Sequence, residues 1–199
     1  YMKSLPKVKK FSEFSTKYFE YLNVVFKKID KKKLNDLSIF LDLIKKEKKN
    51  LFVIGNGGGA STATTVANDL GFDLQKKTKT KNPLRIHSLT DNNALLTAIS
   101  NDLGFENVFL NQLKLYFKSK DCLLVFSASG NSMNLIKAAN FVKKRKGKVV
   151  GILGFDGGKL KKLCDLCIHI PTNKGEYGPV EDMQLIINHM LAHWYQIKK

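Results

Sequence analysis

Arginine is nearly absent from this sequence: of 34 basic residues only Arg85 and Arg145 are arginines, and the rest are lysines. Bidentate recognition of phosphate or guanine favours the guanidinium fork, so lysines spread along helices are read as solvated surface. The formal charge of +17 at pH 7 is assigned to that surface, and no DNA-reading motif accompanies it. Neither nucleic acid nor a membrane is expected as a partner. Cysteine is scarce too. Cys122, Cys164 and Cys167 are too few, and odd in number, for a disulfide framework, and they suit a reducing cytoplasm. The pair Cys164 and Cys167 matches C-x-x-C, but it runs into an apolar strand pattern where a redox pair would open a helix, so both are read as half-buried core thiols. No apolar run approaches the roughly 18 to 20 residues of a membrane helix, and Tyr1-Met2-Lys3-Ser4 is followed by no apolar targeting segment. A soluble, unsecreted, cytoplasmic protein is expected, with Tyr1 an addition ahead of Met2.

The chain does hold enough apolar material, 43% of 199 residues, for one sizeable core. From Phe11 to Lys49 apolar residues recur at spacings of three and four among lysines, as in Phe14, Tyr18, Tyr21, Leu22 and Val25, then Leu34, Leu37, Leu41 and Ile44. This is the period of amphipathic helices, able to cover a sheet or build an oligomer interface. Past Asn50 five short apolar runs, 51–54, 84–86, 122–126, 149–153 and 166–170, alternate with helical stretches and are read as buried strands. The order implies an α/β fold: a three-layer, doubly wound, flavodoxin-like five-stranded parallel sheet with an N-terminal helical extension. Ligands of such sheets bind at the carboxyl ends of the strands.

Two of those strand ends look made for an anion. Gly55-Asn56-Gly57-Gly58-Gly59 lets the backbone turn sharply and approach a ligand before a helix begins, though it lacks the Gly-Lys-Ser/Thr of a P-loop. Ser127-Ala128-Ser129-Gly130-Asn131-Ser132 places three hydroxyls and a glycine at a helix amino terminus, where donors and the helix dipole converge on a phosphate. One serine is expected there as a cap; three exceed that need. Neither loop carries a lysine, which suits a sugar monophosphate better than a triphosphate.

These loops, together with Asn68-Asp69-Leu70, 88–92, 95–102, 154–160 and Glu181-Asp182 ahead of His189, resemble the sugar isomerase (SIS) domain of phosphoheptose isomerases over roughly residues 51 to 195. The variant resembled most accompanies capsule and nucleotide-activated heptose pathways. The resemblance implies conversion of sedoheptulose 7-phosphate into D-glycero-D-manno-heptose 7-phosphate, for capsule or lipopolysaccharide heptose synthesis. It also implies a homotetramer with sites between subunits, and a division into N-terminal helices at 1–50 and the sugar-phosphate domain at 51–199. Carried over, it puts Ser127, Ser129 and Ser132 on the phosphate with the backbone of Ala128, and lines the sugar phosphate with Asn56, Gly57 and Gly58. Asn101 and Asp102 would contact sugar hydroxyls. Asp69, where most members have Glu, and His189 would be the acid/base pair, with Glu181, where many have Gln, a third catalytic residue.

Members that bear zinc hold it through a His and a Glu on the first helix and a Gln and a His near the end; here those positions read Thr65, Asp69, Glu181 and His189. Asp69, Glu181 and His189 could still make an open three-ligand zinc site, provided the chain near Glu181 is not regular helix or the ligand spans both residues. Gly59 and Ala128 replace hydroxyl residues of the family. The other readings are a non-catalytic SIS protein that binds a sugar phosphate or a partner such as a replication initiator, and, last, a nucleic-acid-binding protein. His87, His169 and His193 are read as structural.

Overall fold

The computed structural model describes residues 4–5 and 7–198, so the expectation for Tyr1 and Met2 lies outside the described residues. Two helices open the chain, α1 (Phe11–Lys28) and α2 (Lys31–Lys46). The turn between them is set by Asp30, whose carboxylate accepts the N–H groups of Lys32 and Lys33 at 2.8 and 3.3 Å, and so caps α2. Then follow β1 (Asn50–Gly55), α3 (Gly58–Val66), a π-helical segment (Ala67–Asp73), α4 (Leu74–Thr78), β2 (Arg85–Ser88), α5 (Asn93–Leu103) and α6 (Val108–Tyr116). The second half is β3 (Cys122–Ser127), α7 (Met133–Lys144), β4 (Lys148–Leu153), α8 (Leu160–Leu163), β5 (Leu166–His169) and the long α9 (Tyr177–Ile197).

All five expected strands form, pair in parallel and lie in the order β2-β1-β3-β4-β5. Alternate side chains of β1 divide the interior into two layers. Leu51 and Val53 face a core shared with α1, α2, α3 and α9, while Phe52 and Ile54 face one shared with α5, α6 and α7. The N-terminal helices are continuous with the first core, through Leu22, Val25, Leu37, Leu41 and Ile44. One expectation is corrected here: β2 is not a buried strand. It is an edge strand with Arg85 and His87 exposed, since nothing pairs its outer side. Strand order turns back between β1 and β3, so the loops that follow these two strands open side by side into the crevice where such sheets bind ligands.

Candidate active site

The register of β1 and β3 sets Gly55 beside Phe126, which brings the glycine loop and the serine loop together. Asn56 is pinned by a reciprocal pair of amide hydrogen bonds with Asn134, at 3.1 and 2.9 Å. Asn134 is buried in the first turn of α7, so this pair ties the glycine loop to the helix that follows the serines. In the serine loop, Ser127 Oγ accepts the Gly130 N–H at 3.0 Å and Ser129 Oγ accepts the Asn131 N–H at 3.3 Å. Each hydroxyl hydrogen therefore stays available to a ligand. Ser132 occupies the N-cap position of α7 yet makes no capping hydrogen bond, so its hydroxyl too is uncommitted to the helix. Gly130 has φ +65°, and a Cβ there would overlap the carbonyl of Gly157, so only glycine lets the loop seat against the turn after β4.

A cavity of about 80 Å³ lies among these groups, lined by Asn56, Gly59, Ser127, Ala128, Ser129, Ser132, Tyr177, Glu181 and Gln184. A second cavity of about 350 Å³ adjoins it through Ser129 and Tyr177, and includes Asn131, Thr172 and Lys174. A larger one, about 470 Å³, runs along the edge strand β2 and contains none of the expected site residues; its size does not make it the chemical centre.

The other half of the site is built where α9 crosses the π-helical segment. There Asp69 Oδ2 accepts the Asn188 side-chain amide at 2.7 Å, Oδ1 accepts that of Asn68 at 3.0 Å, and His189 Nε2 lies 3.6 Å from Oδ2. The wider turn of a π-helix shifts the side chains that follow it, and such segments recur at functional sites. Asp69 is half-buried and fixed, whereas the His189 side chain is 52% exposed. Glu181 sits two turns earlier on α9 against Gly58, where a Cβ would overlap its carboxyl group.

Within one chain, Asn56, Gly58, Ser127, Ala128, Ser129, Ser132 and Glu181 come together, with Gly57 exposed at the mouth of the glycine loop. Asp69 and His189 form their own pair. Asn101 and Asp102 lie exposed on the last turn of α5, bonded to each other at 2.9 Å, and line neither cavity at the serine loop. The three-ligand metal expectation does not hold within one chain. The helix is regular from Tyr177 onwards, so Glu181 and His189 are about 12 Å apart along its axis. Thr65 spends its hydroxyl on the carbonyl of Ser61 at 3.0 Å. Among the described residues no group of three His, Cys, Asp or Glu side chains could hold a metal ion. Burial pushes the Cys164 thiol up to about 12 and raises that of Cys167, as core thiols require. His169 and His87 bond Phe155 O and Asn50 Oδ1, at 2.7 and 3.3 Å.

Sequence reasoning missed Asn134, Gln184 and Asn188. Gln184 and Asn188 are polar residues four apart on the buried face of an apolar helix, and that pattern was the available signal.

Strand order, switch-point loops and a polar crevice define the class: a doubly wound α/β protein with a phosphate-sized polar crevice where the loops after β1 and β3 meet. The SIS domain model matches residues 17–154. The chain is 36% identical to a phosphoheptose isomerase of Nitratiruptor over 77% of its length and 79% of that protein's, and 38% identical to one of Leptospira biflexa over 71% of each. A solved phosphoheptose isomerase of Neisseria gonorrhoeae has the same fold, with a TM-score of 0.82 over 94% of this chain and 98% of that one at 23% identity. The chain belongs to the SIS-domain family, among the phosphoheptose isomerases.

Proposed function

We propose that this protein isomerises sedoheptulose 7-phosphate to D-glycero-D-manno-heptose 7-phosphate through an enediol, in the cytoplasm, for capsule or lipopolysaccharide heptose synthesis. The observation that carries the reading is α9 itself, which borders the serine cavity with Glu181 and brings His189 to Asp69. The phosphate rests on Ser127, Ser129 and Ser132 and the N–H groups of Met133 and Asn134 at the start of α7, since that of Leu135 is taken by Asn134 Oδ1 at 2.9 Å. A seven-carbon chain has six carbon–carbon bonds of about 1.5 Å and, with its phosphate, spans on the order of 10 Å. That matches the rise from Glu181 to His189, so one substrate reaches both ends of the site.

Ketose-to-aldose conversion removes a proton from the terminal hydroxyl-bearing carbon and returns one to the former carbonyl carbon, while a second proton moves between the two oxygens. The Asp69–His189 pair performs these transfers, and Asn188 and Asn68 hold the carboxylate in place. Asp69 is a methylene shorter than Glu, and misplacement by about 1 Å can cost about a hundredfold in rate, so this clamp matters. Among the described residues Asp69, Glu181 and His189 do not gather into one metal-binding group within a chain, so these transfers are assigned to the side chains themselves.

The exposed side of His189 shares a surface groove with Ile186, Met190, His193, Trp194 and Ile197. A second copy covering that apolar groove would exclude water from the histidine, which supports a homotetramer with sites between subunits.

The test is to incubate the protein with sedoheptulose 7-phosphate, with and without zinc and chelator, and to follow conversion by NMR. Chelator-insensitive formation of the aldose phosphate is expected. Chelator-sensitive turnover would overturn the metal-free assignment, and saturable binding without turnover would favour the non-catalytic reading.

A further inference from the structure

One buried amide oxygen belongs to a residue in the wall of the serine cavity and has nothing bonded to it among the described residues. Gln184 lies one turn beyond Glu181 on α9 and is 0% exposed. Its side-chain N–H₂ donates to the main-chain carbonyl of Ile152 at 2.8 Å, and that bond decides which end of the amide points into the sheet. The opposite end, Oε1, is buried with no hydrogen-bond partner among the described residues, and Gln184 lines the same cavity as Ser127, Ser129 and Ser132. An unpaired buried carbonyl is costly, and folded proteins keep few of them.

The chemistry of the two walls differs. Ser127 and Ser129 already accept main-chain N–H groups and so offer hydrogens to a ligand, whereas an amide oxygen only accepts. A fully ionised phosphate carries acceptors alone; it satisfies the serines and leaves Gln184 unpaired. A phosphate ester with a hydroxyl on the neighbouring carbon satisfies both walls at once. The cavity, at about 80 Å³, holds only the phosphorylated end of a sugar, so the hydroxyl concerned is the one nearest the ester.

We propose that Gln184 is a specificity-determining residue: its Oε1 accepts a hydrogen bond from the hydroxyl next to the phosphate ester, so the site selects polyhydroxy phosphate esters over simple phosphates. This inference rests on the reading of the protein as a sugar phosphate isomerase. Gln184→Met keeps the length of the side chain and removes the acceptor. Its KM for sedoheptulose 7-phosphate should rise about tenfold, with kcat little changed, while inhibition by sulfate, a tetrahedral anion that carries acceptors alone at neutral pH, stays as in the wild type. The wild-type protein should show the same rise, about tenfold, with the 6-deoxy analogue of the substrate, and the variant should not distinguish the two sugars.

Parallel weakening of sulfate in the variant would mean that Gln184 only shapes the loop, and would overturn the proposal. Should Gln184→Met fail to fold, the two sugars on the wild-type protein decide alone, and equal KM values overturn it. Wild-type protein inactive on sedoheptulose 7-phosphate would instead overturn the functional reading, and the role of Gln184 with it.

Discussion

Each serine of the loop after β3 has a different local commitment, and this separates binding from turnover at the level of single residues. Ser129 accepts a main-chain N–H and offers its hydrogen outward, while His189 stands 3.6 Å from a carboxylate held by two amides. Ser129→Ala should raise KM about tenfold and leave kcat nearly unchanged, because it removes one donor to the phosphate. His189→Ala should lower kcat by about a hundredfold or more with little change in KM, as loss of a general acid/base does. Steady-state kinetics on both variants check this; equal losses of thermal stability with no kinetic split would contradict the assignment. The serines were legible because three hydroxyls around a glycine exceed any capping need. Gln184 and Asn188 left only a weak signal, since two polar residues four apart on an apolar helix face look like tolerated core positions until their hydrogen bonds are seen.

Among the elements, the strands were the most legible: short apolar runs between helical stretches admit few alternatives, and all five form in parallel order. The exposure of β2 was hidden because its sequence does not reveal that it ends the sheet. The π-helical turn around Asp69 left no trace in the apolar period, and the regularity of α9 around Glu181 could be posed only as a condition. The N-terminal helices are fastened to α9 by a carboxylate that no motif announced. Glu176 is 1% exposed and accepts hydrogen bonds from the Ser4 and Tyr21 hydroxyls and, at 3.1 Å, from the Asn173 N–H. Burial pushes its carboxyl up, but the hydrogen bonds from Ser4, Tyr21 and Asn173 outweigh this and hold it below the ordinary glutamate value. A lowered native pKa stabilises the fold above the unfolded-state value, and this contribution is lost as pH falls through the native one. Melting temperature should therefore drop below about pH 4 in the wild type. Glu176→Gln should cost about 1 to 3 kcal/mol at neutral pH and flatten that dependence; an unchanged melting curve would contradict the role given to Glu176.

For the molecule as a whole, the exposed apolar side chains are the informative surface. Phe11, Phe19 and Ile197 are 81%, 72% and 73% exposed, and Trp194 stands 48% exposed beside the histidine. Exposed apolar side chains that cluster mark sites of association, as Trp194 and Ile197 do in one groove with His189, and the assembly proposed above is tested there. Sedimentation velocity should give a species several times the 22.5 kDa chain mass, and Trp194→Glu should dissociate it and lower activity together. A wild-type monomer with full activity would contradict sites completed between subunits.

Proton transfer between adjacent carbons is the central claim, and it is read most directly by running the conversion of sedoheptulose 7-phosphate in deuterium oxide and locating deuterium in the product by NMR. Deuterium on the carbon next to the new aldehyde is expected with the wild-type protein, because a proton held by Asp69 or His189 exchanges with solvent before it is returned, and His189→Ala should abolish the label with the turnover. Product formed at the wild-type rate with that carbon unlabelled would mean direct transfer of hydrogen from carbon to carbon, and would contradict the enediol route.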